Sequence, residues 1–356
     1  QLPFCHKAYC SHVKYRGRGV ASVKKDNTEL FENIPVPKAV ITLVIPTVIS
    51  QIITVIYNMA DTFFIGQMND PDQVAAATLA MPPFVMLTGI ANLFGIGGSS
   101  LISRSLGVGD QEKAKKCAAF SIGGAAAVAL AYGAVMYLLR PVIFPLLGTD
   151  ASTYGYCSAY VLWTIVIGGI PTVLNASLAH LVRAEGYSRE ASFGVAFGGI
   201  LNIILDPVLI FALRLGVTGA AMATMLSNAA AMVYFILLLH RNRGRTVIRF
   251  PVRGFSLRQG ISGEILLVGF PSFVMMFMGV FSNTVLNKIV VSYSNQAIAG
   301  MGIAKKIDML AFAIASGMTQ GVLPLIGYNY AAKKYSRMRL AIKTAFLYSV
   351  SVASCG

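Results

Sequence analysis

The sequence predicts an all-α polytopic membrane protein made of two six-helix lobes, the second incomplete, with about nine helices present. Three observations lead there. Hydrophobic residues make up 56% of the 356 and charged residues only 12%, about half the charged share of an ordinary soluble domain. Apolar runs long enough to cross a bilayer recur along the chain. The first two of these runs are repeated as the seventh and eighth.

The runs fall at about 39–66, 74–101, 117–139, 155–182, 190–213, 217–239, 264–294, 297–326 and 340–356. A span takes about 20 apolar residues, so the first eight are complete helices and the ninth is cut by the chain end. Short connections and the lack of a separate soluble segment give one polytopic unit. Its parts are a polar lead-in over 1–37, a first lobe over 38–240, a basic inter-lobe loop over 241–260 and the start of a second lobe over 261–356. Residues 1–22 are basic and lack the apolar core of a signal peptide, and Val23 is read as a non-standard start, leaving 1–22 outside the native protein.

The repeat sets the architecture. Ile45-Pro46 aligns with Phe270-Pro271, Asn58 with Asn283, Ala80 with Ala304, Gly97 with Gly321 and Leu101-Ile102 with Leu325-Ile326, an offset close to 224. An even number of helices separates the copies, so both cross in the same direction: a parallel repeat about an axis along the membrane normal.

A net charge of +15 could suggest nucleic acid, but its distribution argues for topology. Lys113, Lys115 and Lys116, Arg183 and Arg189, the run from Arg241 to Arg258, and Lys333 to Arg339 all fall on one side; Asp70, Asp72 and Asp150 fall on the other, with Arg140 and Arg214. The positive-inside rule makes the cation-rich side and the amino terminus cytoplasmic. The basic loop lacks the interleaved aromatics of a nucleic-acid surface and is expected to meet lipid headgroups. Cys5, Cys10, Cys117, Cys157 and Cys355 show no paired spacing, and Cys5, His6, Cys10 and His12 fit no standard zinc pattern. His6, His12, His180 and His240 group with no pair of acids in one span, which argues against an integral-membrane enzyme, and His180 reads as a helix-end residue.

Chemistry is concentrated in a few polar residues inside apolar runs. Gln51, Thr54, Asn58 and Asp61 share one helix face, with Tyr57 a turn before Asp61 and Pro46 removing a backbone bond where the helix can bend. Asn202 and Asp206 share a face of the fifth span, and Thr224 in the sixth reaches a similar depth. A carboxylate at the bilayer centre costs about 2.5–3.5 kcal/mol on insertion scales, so such groups face a cavity and carry a function. Asn202 and Thr224 could alternatively serve as glue between helices. Lys288 reads as a snorkelling cation, while Lys305, Lys306 and Asp308 read as an internal ion pair or as lining of the second lobe's cavity.

The stretches Tyr57-Asn-Met-Ala-Asp61-Thr-Phe-Phe-Ile-Gly66, Leu181-Val-Arg-Ala-Glu-Gly186, Asn202-Ile-Ile-Leu-Asp206-Pro207 and Gly219-Ala-Ala-Met-Ala-Thr224 together resemble the bacterial multidrug and toxic compound extrusion (MATE) transporters, over roughly 38–345. The resemblance implies a non-enzymatic antiporter that exports organic cations and drugs by alternating access, coupled to H⁺ or Na⁺ and needing no cofactor. It implies a cation or proton site at Asp61, Asn202, Asp206 and Thr224, which is also the place for any Na⁺. Tyr57, Asn58 and Asn175 are implied in the substrate cavity, and Pro46 at the bend. Expected partners are small organic cations and the lipid bilayer, with no nucleic acid; the protein is expected to be a monomer in the bacterial plasma membrane. Some relatives place a glutamate in the seventh helix, whereas Gly279 to Asn283 here holds no acid and Glu264 lies at the inner end. The alternative within the superfamily is a lipid-linked oligosaccharide flippase, for which a more cationic cavity is expected.

Overall fold

The computed structural model describes residues 26–249, 260–291 and 295–355. Every predicted span is a helix. They are α2 (Val36–Gly66), α3 (Pro71–Gly107), α4 (Gln111–Leu138), the pair α6 (Tyr154–Val161) and α7 (Gly169–Ala184), α8 (Ser188–Pro207), α9 (Gly216–Arg241), α10 (Ile261–Val291), α11 (Asn295–Ala331) and α12 (Tyr335–Cys355). Two short helices were not expected, α1 (Asp26–Glu32) and α5 (Arg140–Leu147). Among the described residues seven helices are long and apolar enough to cross a membrane, and the bent α6–α7 pair makes an eighth. Leu138, Val142, Leu146 and Leu267 are among many large apolar side chains left exposed, a surface that only a lipid solvent accommodates.

Helix boundaries follow local chemistry. Asp70 caps α3 by accepting from the Asp72 and Gln73 amides, and Asp110 caps α4 by accepting from the Lys113 amide. Lys113, Lys115 and Lys116 therefore lie in the first turns of α4, within the helix and not in a free loop. Helix α2 runs unbroken through Pro46, and around it the hydroxyls of Thr42, Thr47, Ser50 and Thr54 donate back to carbonyls three or four residues earlier. The fourth span is the broken one. Leu162–Ile167 is wound as a wider π-helical turn, the Gly168 amide donates to the Trp163 carbonyl, and the axis turns by 49° before α7. Gly168, Gly169 and Pro171 supply the weak point there.

The two lobes meet through repeat-related helices. α2 of the first lobe packs against α11 of the second, and α3 packs against α10, so the first and second helices of each lobe exchange partners across the seam. Glycine makes both contacts possible. A Cβ on Gly97 would lie 2.2 Å from the Ile265 carbonyl oxygen, and one on Gly321 would lie 2.8 Å from the Val44 Cα. These aligned glycines hold the lobes together at the end that carries α1 and the inter-lobe connection. At that end α1 docks on the second lobe: Phe31 stacks on Tyr328 at 5.1 Å, the Arg337 Nε donates to the Phe31 carbonyl at 2.8 Å, and Lys334 pairs with Glu32 at 3.1 Å. Lys113 and Glu264 add an exposed pair across the seam at 3.3 Å.

The readings placed on residues 1–25, on 250–259 and on the Lys288 and Lys306 side chains lie outside the described residues. Arg241, Arg243, Arg245 and Arg249 are exposed. Cys117 and Cys157 are buried free thiols among apolar neighbours.

Candidate functional site

Helix α8 packs against both α2 and α9, and this brings the three predicted segments together. Asp206 is 0% exposed, Asn202 2% and Asp61 7%. The Asn202 amide donates to one Asp206 carboxylate oxygen at 3.4 Å. Three further oxygens, Asp61 Oδ1, Asp206 Oδ2 and Asn202 Oδ1, are buried with no hydrogen-bond partner among the described residues. Asp61 and Asp206 are electrostatic neighbours of each other and of the buried Tyr160 hydroxyl from α6, and Tyr57 is a neighbour of Asp61. A buried acceptor left unsatisfied costs about 1–3 kcal/mol, so a cluster of them is chemically a receptor for a proton or a hard cation. Among the described residues no third acid, His or Cys joins the aspartates. A cation held there would draw its other ligands from amide, hydroxyl and carbonyl oxygens.

Beside this cluster lies a cavity of about 410 Å³ between the lobes, within the range of small-molecule sites. Gln51, Thr54, Tyr57 and Asn58 from α2, Asn202 from α8 and Thr224 from α9 form one wall; Met276, Met309 and Phe312 of the second lobe face them. Asp61 and Asp206 stand one turn beyond Asn58 and Asn202, behind the wall and not in it. Asn175 also lines the cavity; its amide donates to Asn228 Oδ1 at 2.9 Å, and Asn228 donates to the Thr224 carbonyl at 2.8 Å. Pro46 is not among the lining residues. Asp308 is exposed and Lys305 half-buried, and neither lines this cavity.

Sequence reasoning missed four groups. Asn228 lies four residues after Thr224 and could have been read as its partner by helical spacing. Tyr160 carried no signal beyond being a tyrosine in an apolar run. His180 and Arg183 do stand near the end of α7, yet both are buried, 9% and 3% exposed, and line the cavity, which their position in the sequence did not announce. The physical reason is that Cα–Cβ bonds tilt toward a helix's amino terminus, so side chains near the end of α7 reach back into the protein. Glu185, just past α7, is also buried and accepts from the Thr246 hydroxyl at 2.5 Å and the Val247 amide at 2.7 Å, fixing the start of the inter-lobe connection. Burial pushes its carboxyl up to about 7, against the pull of those donors.

The MatE family model matches residues 46–208 and 271–355 of the chain. The chain belongs to the MATE family. Its similarity to the multidrug export protein MepA of Staphylococcus aureus is 34% identity over 325 residues, 91% of this chain and 71% of the relative; the figures for MepA of Staphylococcus saprophyticus are the same. A crystal structure of MATE in the straight conformation superposes with a TM-score of 0.85 at 26% identity, covering 91% of this chain and 72% of that one. The protein is thus a multi-pass membrane transporter with the MATE fold, of a non-enzymatic family with bacterial homologues. The cavity lies where the first lobe faces the second, and the carboxylate cluster stands behind its wall inside the first lobe.

Proposed function

We infer that this MATE protein exports lipophilic organic cations and other xenobiotics across the bacterial plasma membrane in exchange for H⁺ or Na⁺, by alternating access, as a monomer with a cytoplasmic amino terminus. The observation that carries this reading is the set of buried, unpartnered oxygens on Asp61, Asp206 and Asn202 directly behind the cavity wall. Asp61, Asn202, Asp206 and Thr224 hold the coupling ion; Tyr57, Asn58 and Asn175 meet the substrate; Pro46 is where α2 bends during the cycle. Support comes from the family and from relatives whose name is multidrug export protein.

A cation drawn into the cavity is stabilised by the deprotonated aspartates, and a proton or Na⁺ arriving from outside displaces it. Each pH unit of gradient is worth about 1.4 kcal/mol and each charge crossing 100 mV about 2.3 kcal/mol, enough to drive export against a gradient. The methionine and aromatic wall of the second lobe suits varied apolar bodies. A flippase for lipid-linked pyrophosphates would need a cavity dominated by cations, whereas Arg183 is the single cation among the described lining residues and a buried acidic pair stands behind the wall.

The test is dye efflux from proteoliposomes under imposed pH and Na⁺ gradients in turn. Asp61→Asn and Asp206→Asn should each abolish gradient-driven efflux while leaving insertion intact, because an amide keeps the shape and loses the charge. Efflux at the native rate in both variants refutes the assignment.

A further inference from the structure

The inner end of the cavity holds a group that the export of simple cations does not require. Arg183 is 3% exposed, lines the cavity, and its Nε has no partner among the described residues. Among the described residues its one side-chain bond crosses the seam, from Nη1 to the neutral amide oxygen of Gln320 at 3.3 Å. No carboxylate lies within ion-pair distance of it among the described residues. Buried guanidinium groups are ordinarily paired, because an isolated charge taken out of water is costly. A rigid, planar donor fork turned into a cavity is also the side chain best suited to a carboxylate.

Position separates this group from the acids. Asn175 stands at the level of Asn228 and Thr224, and Arg183 follows eight residues later, about 12 Å further along the α7 axis at 1.5 Å per residue. The aspartates stand behind the wall near the outer end of their helices, so Arg183 and the acidic pair face the cavity from opposite ends, with Met276, Met309 and Phe312 lining the space between. The neighbour that shares Arg183's face, His180 one turn earlier, is an imidazole and brings no negative charge to neutralise it.

We propose that Arg183 is an anion subsite that receives the carboxylate of amphoteric substrates, whose cationic end points toward the Asp61–Asp206 cluster. This rests on the reading of the cavity as the substrate site. A cation without an acid would occupy the outer part alone and gain nothing from Arg183.

The test uses two dyes that differ in one group: rhodamine 110, a free carboxylic acid, and rhodamine 123, its methyl ester. Their affinities for the protein in nanodiscs are measured by fluorescence polarisation. The native protein should bind both. Arg183→Gln should raise the acid-to-ester ratio of dissociation constants at least tenfold, weakening the acid and strengthening the ester, since a like charge has been removed. Gln320→Glu keeps the arginine but gives it an internal carboxylate, so it should raise the same ratio even if Arg183→Gln fails to fold; Arg183→Lys should keep most of the native ratio. A ratio that stays within twofold of native in Gln320→Glu and in Arg183→Gln where it folds, or equal losses for both dyes, overturns the subsite and assigns Arg183 to holding the seam. Native protein that binds the ester and not the acid overturns it as well. If the native protein binds neither dye, the substrate-cavity reading itself falls, and the subsite with it.

Discussion

Substituting Gly97 should do more than lower stability, because the atom it would strike belongs to the other lobe. A Cβ there would sit 2.2 Å from the Ile265 carbonyl oxygen and 3.1 Å from its Cγ2, whereas ordinary contact begins at 3.4 Å. The obstacle is backbone, so the side chain cannot simply swing aside, and α3 and α10 must separate by about 1.2 Å; overpacking of this kind costs about 1–3 kcal/mol. A penalty of about 2 kcal/mol confined to the state closed at this end shifts its population roughly 30-fold. Spin labels at Arg189 and Arg339, exposed positions on the two lobes at that end, report the separation by double electron–electron resonance. Gly97→Ala should enrich the longer distances. Gly321→Ala should do so less, since its Cβ would be 2.8 Å from Val44 Cα and 3.0 Å from the Leu43 oxygen. A distance distribution for Gly97→Ala that matches native protein, with an unchanged melting temperature, refutes the idea that this glycine sets how closely the lobes approach.

Three further outcomes are expected. Glu185 binds its proton more tightly when docked than free, about 7 against the ordinary 4.5, so its contribution is complete below about 4.5 and is lost as pH rises through about 7; the difference is on the order of 3 kcal/mol. Protection factors of the Val247 and Ile248 amides should fall over that window, stay level in Glu185→Gln and be low throughout in Glu185→Ala; a native profile as level as that of Glu185→Gln would contradict this. Binding of rhodamine 123 should weaken as pH drops, since proton and cation compete for the same carboxylates, and pH-independent binding would argue against that competition. A cysteine placed at Arg245 should resist impermeant maleimide in intact cells and react once the membrane is opened; labelling from outside would invert the orientation.

The spans were legible because lipid leaves few options: twenty apolar residues in a row must be helix, and the predicted limits fall within three residues of the observed ends of α2 and α9, while α3 runs six residues further and α8 closes six residues sooner than predicted. The clustering of α2, α8 and α9 residues was legible for a related reason, since an acid has no business in an apolar run unless something meets it. What stayed hidden depends on direction. A sequence gives the position of Arg183 at the end of a helix, yet not whether its long side chain turns outward to water or back into a cavity, and both placements leave the same letters. Helix α1 was hidden because its stability is tertiary: a seven-residue helix forms little on its own, and it is Phe31, Tyr328 and Arg337 that hold it.

Exchange of partners across the seam has an evolutionary meaning. A contact in which helix one of each half meets helix two of the other is what two identical copies make about a two-fold axis, so a single lobe of this design would dimerise with itself through the same glycines. Fusion into one chain would have freed each half to change alone. With Asn58 on Asn283, the position of Asp61 falls on Leu286: the joint between the halves kept its symmetry, while the acid of the first helix has a leucine as its counterpart in the seventh. The duplicated frame thus keeps a two-fold seam while the matching turn of its two first helices is acidic in one half and apolar in the other.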